Sequence, residues 1–360
     1  MIMGKKYENL DGLRTIAAIC IVFMHVLANM SLSWSGSKIV PIIQSFGDFV
    51  KLFFILSAFS MCCGYYERIK NNGISLNNFY NKRYFRILPF FALLVLIDVV
   101  VQFAGRSTLY EAFANLTLLF GFLPNSNIEV IGVGWTLGVI FGFYCLFPFF
   151  VYTMWTKKRV WFFFAISLVL NYACESYFLV DGNPIGANVI RWLCYFEAGG
   201  VIYLYRDSIT KFIGKNLVIR LVSLAVVLGL IIAWYLTPDY IGVVNIFTLK
   251  TLIMFSALVC YAISVKSVIL ANPVTKFMSY ISFEVYLSHM FIFRVVQKLG
   301  ITKLFANQVV SYIFVAIIVL ALSVAFSFIM KKGLDLLFDF IAKKLNSKKA
   351  EKETAKTENS

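Results

Sequence analysis

Charged and metal-binding side chains are scarce in this chain of 360 residues. Asp, Glu, Lys and Arg together make up 14%, and there are two histidines. An ordinary soluble domain carries about 25% charged residues, so a water-soluble surface is not expected. The seven cysteines show no disulfide or zinc spacing, and no glycine-rich loop for phosphates or dinucleotides occurs. We therefore expect neither a bound metal nor a bound cofactor.

Long apolar segments fill the sequence instead. Hydrophobic residues make up 60% of the chain, aromatic residues reach 17%, and the mean hydropathy is +0.81. A helix needs about 20 apolar residues to cross the ~30 Å hydrocarbon core of a bilayer. The pattern predicts an all-α, polytopic membrane helix bundle with about ten transmembrane helices. The predicted spans are 15–30, 47–64, 87–104, 131–153, 160–176, 189–205, 218–236, 246–265, 279–296 and 308–330.

The net charge of +15 does not indicate nucleic-acid binding, because the basic residues form no single soluble face. They cluster between alternate apolar segments, for example at 82–86 and 157–159. Cytoplasmic loops carry an excess of Lys and Arg. The pattern predicts a multi-pass protein of the cell (cytoplasmic) membrane with both termini in the cytoplasm. It also predicts a membrane domain over 1–342 and a disordered tail over 343–360.

The first predicted span contains one of the two histidines. His25 follows Arg14 by eleven positions, and at about 100° per residue the two side chains lie on one helix face. Their separation along the helix axis is about 16 Å. An ionisable imidazole in hydrocarbon is costly, so its default interpretation is functional. A histidine that forms a hydrogen bond between helices is the alternative.

Several segments, in order along the chain, are similar to the signatures of one family. The stretch 10–18 (LDGLRTIAA), continued to His25, resembles the first-helix motif of the membrane acyltransferase-3 family. The other similar segments are 53–59 (FFILSAF), 82–89 (KRYFRILP), 135–148 (WTL, then FY, then P) and 286–289 (YLSH). The resemblance covers roughly 10–330, nearly the whole chain.

Members of that family move acyl groups, usually acetyl, onto sugars of cell-envelope glycans. The resemblance implies an O-acyltransferase with acyl-CoA, most often acetyl-CoA, as donor substrate and a hydroxyl of a cell-surface glycan or glycolipid as acceptor. It implies that His25 is the general base. His289 lies about ten residues into its span and His25 about eleven into its own, so both are expected at similar depth. The two are expected to line one cavity, with His289 donating a hydrogen bond to the acyl carbonyl or to the acceptor. Arg14, Arg83 and Arg86 are expected to bind the phosphates of acyl-CoA. Topology anchoring by the arginines and plain packing of His289 are the alternatives.

The chain departs from the family pattern on the fourth helix. Members usually carry Glu three residues after the leucine of that motif, and this position is Ile140 here. Asp98, Glu197 and Glu284 lie within other predicted spans. Each is expected to be paired or protonated, and each is a candidate to orient an imidazole in place of the absent Glu.

Further residues are candidates for supporting the site. Asp11 is expected to cap the first helix or to pair with the arginine three residues later. Trp135 and Tyr144 belong to the fourth-helix motif. Arg191 lies six residues before Glu197, near the outer end of its span, and is interpreted as structural or as binding the acceptor.

Two other classes of function fit the sequence. A transporter or flippase for glycan-lipid intermediates also has many spans and intramembrane charges. A non-catalytic membrane component of a polysaccharide-assembly complex, with partner proteins of that pathway, is favoured by the absent fourth-helix Glu. Dependence on acyl-CoA separates the acyltransferase from both. The sequence leaves open the acceptor sugar and the choice between acetyl and another short acyl group.

Overall fold

The computed structural model describes residues 7–30, 39–101, 105–122, 132–180, 183–184, 186–241 and 244–357. In these residues the α-helices are α1 (Asn9–Asn29), α2 (Ile39–Ser45), α3 (Phe49–Met61), α4 (Glu67–Lys70), α5 (Leu76–Val101), α6 (Arg106–Leu116), α7 (Trp135–Thr153), α8 (Lys157–Ser176), α9 (Val189–Ile213), α10 (Leu217–Leu236), α11 (Phe247–Ser264), α12 (Pro273–Lys298) and α13 (Gln308–Thr357). Two antiparallel hairpins pair β1 (Leu179–Val180) with β2 (Asn183–Pro184), and β3 (Tyr240–Ile241) with β4 (Val244–Asn245).

Each of the ten predicted spans coincides with a helical segment, so the prediction of an all-α polytopic bundle is confirmed. Among the described residues, seven segments are long and apolar enough to cross a membrane. The other three predicted spans fall on α8, α9 and α12, whose sequences carry more charged residues. The ends 102–104 and 131 of two predicted spans lie outside the described residues.

One helical run of 32 residues extends from Ile39 to Lys70. It comprises α2, a 3-10 turn at Phe46–Asp48, α3, a π-helical stretch at Cys62–Tyr66 and α4. Single π-helical turns inside α-helices are often found at functional sites. This one begins two residues after Ser60, and it therefore adjoins the part of α3 that faces the first helix.

The start of α12 is strongly specified by its sequence. The Asn272 side chain accepts a hydrogen bond from the backbone N–H of Thr275, and the Thr275 hydroxyl bonds back to the backbone of Asn272. Pro273 occupies the first helical position, where no backbone donor is needed. This capping box satisfies two orphan donors and fixes where the helix begins.

Helices α1 and α12 run side by side in the same direction. Near their starts, the Thr15 hydroxyl donates to the Thr275 carbonyl at 3.1 Å. Further along, His25 faces His289. Gly12 permits the close approach at the start, since a Cβ there would lie 2.5 Å from the carbonyl oxygen of Leu270. Small residues at such contacts let membrane helices pack closely.

Helix α13 packs antiparallel against α12 through three polar pairs, here called the polar ladder. The Tyr280 hydroxyl donates to Asp335 at 3.1 Å, Lys331 donates to Glu284 at 2.5 Å, and Ser288 bonds to Ser327 at 3.0 Å. Each helix contributes one residue every four positions, so the pairs lie one above another. α13 also contacts α1, where the Tyr312 hydroxyl donates to the Phe23 carbonyl oxygen at 3.2 Å, so the three helices pack together.

On the far side of the bundle, α9 packs against α3, α8 and α11. A Cβ at Gly199 would lie 2.4 Å from the Ile55 carbonyl oxygen, so glycine is required for this approach of α9 to α3. Phe143 of α7 stacks on Phe196 of α9 with ring centroids 4.1 Å apart. These contacts fix the helices that form the wall opposite α12.

The α13 helix continues well past its apolar part, to Thr357. The backbone is therefore helical over most of 343–360, the segment whose composition predicts a disordered tail, and 358–360 lie outside the described residues. Ala, Lys and Glu dominate that segment and are good helix formers. The domain boundary at 342 stays a prediction.

Candidate active site

A cavity of 310 Å³ lies among α1, α3, α5, α7 and α12. Its polar lining comprises two arginines and a set of hydroxyl groups, and the remainder is mostly aliphatic and aromatic. The polar lining residues are Arg14, Ser57, Arg86, Thr136, Tyr144, Ser279, Ser282 and Tyr286. An apolar cleft with a few convergent polar groups is the usual form of a small-molecule site.

Arg14 reaches this cavity from the second turn of α1. Its guanidinium donates to the Asp11 carboxylate at 3.3 Å and to the Ser60 hydroxyl at 2.5 Å. Asp11 in turn accepts a hydrogen bond from Ser279 at 2.8 Å. The Arg14 side chain is 26% exposed, so it is held in place while part of its donor surface still faces the cavity. Of the two uses expected for Asp11, the structure shows the ion pair with Arg14.

Arg86 approaches from α5 and is held by a buried carboxylate. Its guanidinium bonds to Glu284 at 3.4 Å, and the same carboxylate oxygen accepts from Lys331 at 2.5 Å. Glu284 and Lys331 are both buried, whereas the Arg86 side chain is 44% exposed. One carboxylate therefore neutralises two cations only in part, and the cluster retains a net positive charge beside the cavity.

Arg83 does not line this cavity. Its guanidinium donates to the Tyr65 hydroxyl at 2.8 Å and lies 4.8 Å from the Tyr65 ring centroid and 5.8 Å from that of Tyr144. The contact with Tyr144, which does line the cavity, is its link to the site. A role of Arg83 in holding phosphates stays a prediction.

The two histidines meet at the contact between α1 and α12. Their ring centroids are 5.1 Å apart and the ring planes are inclined at 43°. His289 is fully buried and its Nδ1 lies 2.6 Å from the Tyr286 carbonyl oxygen, while His25 is half-buried. Neither histidine lines the cavity itself, but Tyr286 does, and its ring lies 5.9 Å from that of His289. Tyr286 therefore borders both the cavity and the histidine pair.

The remaining candidates lie further away. Trp135 packs against Trp192 and Phe54 behind the cavity wall. Arg191 bonds to Glu175 at 2.7 Å, which gives it a structural partner within the bundle.

The three intramembrane carboxylates are distributed over different environments. Asp98 pairs with Arg294 at 3.2 Å, and Glu284 is held by Arg86 and Lys331. Glu197 lines a separate, apolar cavity of 190 Å³ among α7, α8 and α9. His289 has a backbone carbonyl rather than a carboxylate at its Nδ1, so none of the three orients this imidazole in the described structure.

A comparison with family models adds the decisive observation. A model described as an acyltransferase domain, Acyl_transf_3, matches residues 7–331. The chain belongs to the membrane acyltransferase-3 family. No curated protein and no solved structure matches it. The expectation drawn from the first-helix motif is confirmed at the level of an integral membrane acyltransferase.

In this membrane acyltransferase, sequence reasoning missed the contribution of Lys331 and the position of Tyr286. Lys331 lies at the end of an apolar run, where a basic residue is common in membrane proteins for reasons of topology alone. Its burial against Glu284 depends on the packing of α13, which no sequence pattern reveals. Tyr286 stands in the segment Tyr-Leu-Ser-His, and its spacing of three from His289 is the signal that places both on one helix face.

Proposed function

We propose that this membrane acyltransferase transfers a short acyl group, acetyl in the first instance, from acyl-CoA to a hydroxyl of a cell-surface glycan or glycolipid. The observation that supports it most is the cavity that presents Arg14 and Arg86 and borders, through Tyr286, on an intramembrane imidazole pair. Positive charge and a proton acceptor are thereby offered at separate positions along one pair of helices. An acyl-CoA molecule also has its charges and its reactive thioester at opposite ends.

His25 is the proposed general base. A hydroxyl is a poor nucleophile near neutral pH, and a neutral imidazole removes its proton as the oxygen attacks the thioester carbonyl. The tetrahedral intermediate then collapses to the ester and releases the CoA thiolate. The imidazolium returns the proton to that thiolate, so the reaction yields an ester and free CoA thiol without net proton change.

Arg14 and Arg86 are the proposed phosphate-binding residues. Each already has one carboxylate partner, Asp11 or Glu284, which holds the planar guanidinium without using all five of its donors. Eleven residues of helix separate Arg14 from His25, which is about 16 Å along the axis. An extended donor molecule fits this separation, with phosphates at the arginines and thioester at the histidine.

The charge pattern supports an orientation with both termini in the cytoplasm of the cell membrane. Donor entry is then from the cytoplasmic side and the acceptor hydroxyl arrives from the other side. Single cysteines introduced over 65–86, on a background without native cysteines, are expected to resist an impermeant reagent applied to intact cells. Single cysteines over 105–130 are expected to react. The reverse pattern contradicts the orientation.

The decisive test is acyl transfer by the purified protein in liposomes with acetyl-CoA labelled in the acetyl group. We expect labelled ester on an extract of lipid-linked or surface glycan, and loss of labelling in His25→Ala. Arg191→Lys is the matched control, because it changes a distant intramembrane cation and keeps its charge. Glycan-lipid movement without any need for acyl-CoA supports the flippase instead. Absence of both activities, with retained binding to polysaccharide-assembly proteins, supports the non-catalytic component.

A further inference from the structure

The proton on the buried histidine is placed by its backbone partner. His289 Nδ1 lies 2.6 Å from the carbonyl oxygen of Tyr286. A carbonyl oxygen only accepts hydrogen bonds, so Nδ1 carries the hydrogen and donates it. In the neutral imidazole the other nitrogen, Nε2, then has no hydrogen and presents a lone pair.

That lone pair has no partner among the described residues. His289 is fully buried, and its Nε2 is one of the few buried side-chain nitrogen or oxygen atoms without a hydrogen bond. Leaving a buried polar atom unpaired is costly, and such atoms in native proteins call for an explanation. A neutral His289 in this tautomer also cannot donate a hydrogen bond to an acyl carbonyl, which argues against the donor role expected from the sequence.

The ring that can supply the missing donor is His25. Its centroid is 5.1 Å from that of His289, and it is half-buried rather than fully enclosed. At this centroid separation a nitrogen of His25 that is turned toward Nε2 can come within hydrogen-bond distance of it. Two neighbouring polar side chains are engaged elsewhere, since Asn29 donates to the His25 backbone carbonyl oxygen at 2.8 Å and the Tyr286 hydroxyl donates to the Val133 carbonyl oxygen at 3.4 Å.

We propose that His289 is a positioning residue whose Nε2 accepts the ring N–H of His25. This contact fixes the tautomer of His25 and leaves its second nitrogen, with a free lone pair, directed to the acceptor hydroxyl. The arrangement assigns to one imidazole the orienting role that a carboxylate has in many catalytic triads. The catalytic consequence rests on the proposed function of His25, whereas the pairing of the rings does not.

The chain offers a direct spectroscopic test because it contains only two histidines. Protein labelled with 15N in histidine and reconstituted in bilayers gives His289 alone in the His25→Ala variant. We expect that spectrum to show a protonated Nδ1 and an unprotonated Nε2. In the wild type we expect a correlation between the N–H of His25 and the Nε2 of His289. A protonated Nε2 on a neutral His289, or an absent correlation, overturns the proposal.

Kinetics supply the second readout. His289→Gln keeps an acceptor oxygen near the position of Nε2, whereas His289→Leu has similar bulk and no acceptor. We expect the Leu variant to lose roughly 10- to 100-fold in kcat, the range for an unsatisfied buried donor, and the Gln variant to recover most of it. The KM for acetyl-CoA is expected to stay unchanged in both, and detergent melting temperatures confirm folding. Equal kcat in the two variants contradicts the positioning role.

The spectroscopic and kinetic experiments together distinguish a failure of the proposed function from a failure of the ring pairing. If the wild type transfers no acyl group while the spectra show the paired rings, the proposed function is wrong and the pairing stands. If transfer occurs and depends on His25 while the spectra show unpaired rings, the proposed function stands and the positioning role of His289 is wrong.

Discussion

The two ends of the contact between α1 and α12 differ in how their polar groups are satisfied. At the arginine end, Arg14 of α1 pairs with Asp11, and Arg86, which approaches from α5, pairs with Glu284 of α12, while both guanidinium groups remain partly exposed. At the histidine end, formed by His25 and His289, the inner imidazole is fully buried and keeps one nitrogen unpaired. The arginine end is built to hold fixed charge in one place. The histidine end holds two imidazoles, and in the proposed arrangement Nε2 of His289 accepts from His25, so that the free lone pair lies on the second nitrogen of His25.

Under the proposed function, this difference corresponds to the two tasks of a transferase, donor binding and proton transfer. Binding an anionic donor requires oriented hydrogen-bond donors that do not need rearrangement, and the carboxylate partners provide that orientation. Proton transfer requires an acceptor whose lone pair is not already used. Substitutions at the two ends and near them test whether donor binding and proton transfer depend on different residues.

The largest effect on activity is expected for His25→Ala. Loss of a positioned general base lowers acyl transfer by about 10²- to 10⁴-fold. Binding of acetyl-CoA, measured by equilibrium dialysis on the reconstituted protein, is expected to stay close to that of the wild type. Weakened donor binding with little loss of transfer would show that His25 binds the donor, and would contradict the assignment of proton transfer to the histidine end.

Glu284→Gln is expected to act mainly on stability. It leaves Lys331 buried without its counter-charge, and breaking such a pair costs about 3–5 kcal/mol. A clear fall in the detergent melting temperature is the readout. Asp98→Asn is the matched control. Its partner Arg294 is 42% exposed, so removal of the counter-charge from this cation costs less stability. Similar melting temperatures in both variants contradict a buried charge cluster behind Arg86.

Arg14→Ala is expected to weaken donor binding. Loss of a charged hydrogen bond to a phosphate costs about 1.5–3 kcal/mol, or roughly 10- to 150-fold in affinity at about 1.4 kcal/mol per factor of ten. Arg14→Lys is expected to recover part of this as a point charge without the guanidinium fork. The measurement is the KM and Kd for acetyl-CoA against kcat. An unchanged affinity would show that Arg14 serves only membrane topology and does not bind the donor.

The smallest effect is expected for Arg191→Ala. Arg191 pairs with Glu175, and the two side chains are 16% and 24% exposed, so the loss costs less than the ~3–5 kcal/mol of a fully buried pair. Stability is expected to fall by less than in Glu284→Gln, while KM and kcat for both substrates stay near the wild-type values. A large rise in the KM for the glycan acceptor would restore the acceptor-binding role and add a third functional region.

The sequence predicted much of the fold, because hydropathy and charge act through local, periodic patterns. All ten predicted spans fall on helices, and the placement of Arg14 and His25 on one face follows from helical geometry alone. The contact between His25 and His289 joins residues 264 positions apart, since 289 minus 25 is 264. No single-sequence pattern specifies that α12 packs beside α1, so that contact required the tertiary structure.

The charge cluster around Glu284 could not be predicted for the same reason, because one sequence does not specify which helices pack together. Glu284, Lys331 and Arg86 come from three helices, and each alone fits a general rule for membrane proteins. Their mutual neutralisation depends on which faces meet. Arg191 lies near the outer end of its predicted span, which makes it a candidate for a structural role or for acceptor binding, and its ion-pair partner Glu175 is supplied by the preceding helix, α8.

The polar ladder between α12 and α13 also decides the vertical register of the last helix. The apolar part of α13, 308–330, has 23 residues, or about 35 Å of helix. This is close to a bilayer core of about 30 Å, but hydrophobic mismatch costs only fractions of a kcal/mol per Å, so lipid contacts alone define the register of α13 weakly. A slip by one turn would set Glu284 against Ser327 and leave Asp335 without Tyr280. All three pairs form in only one register of the two helices, and α13 thereby fixes the depth at which α12 presents His289.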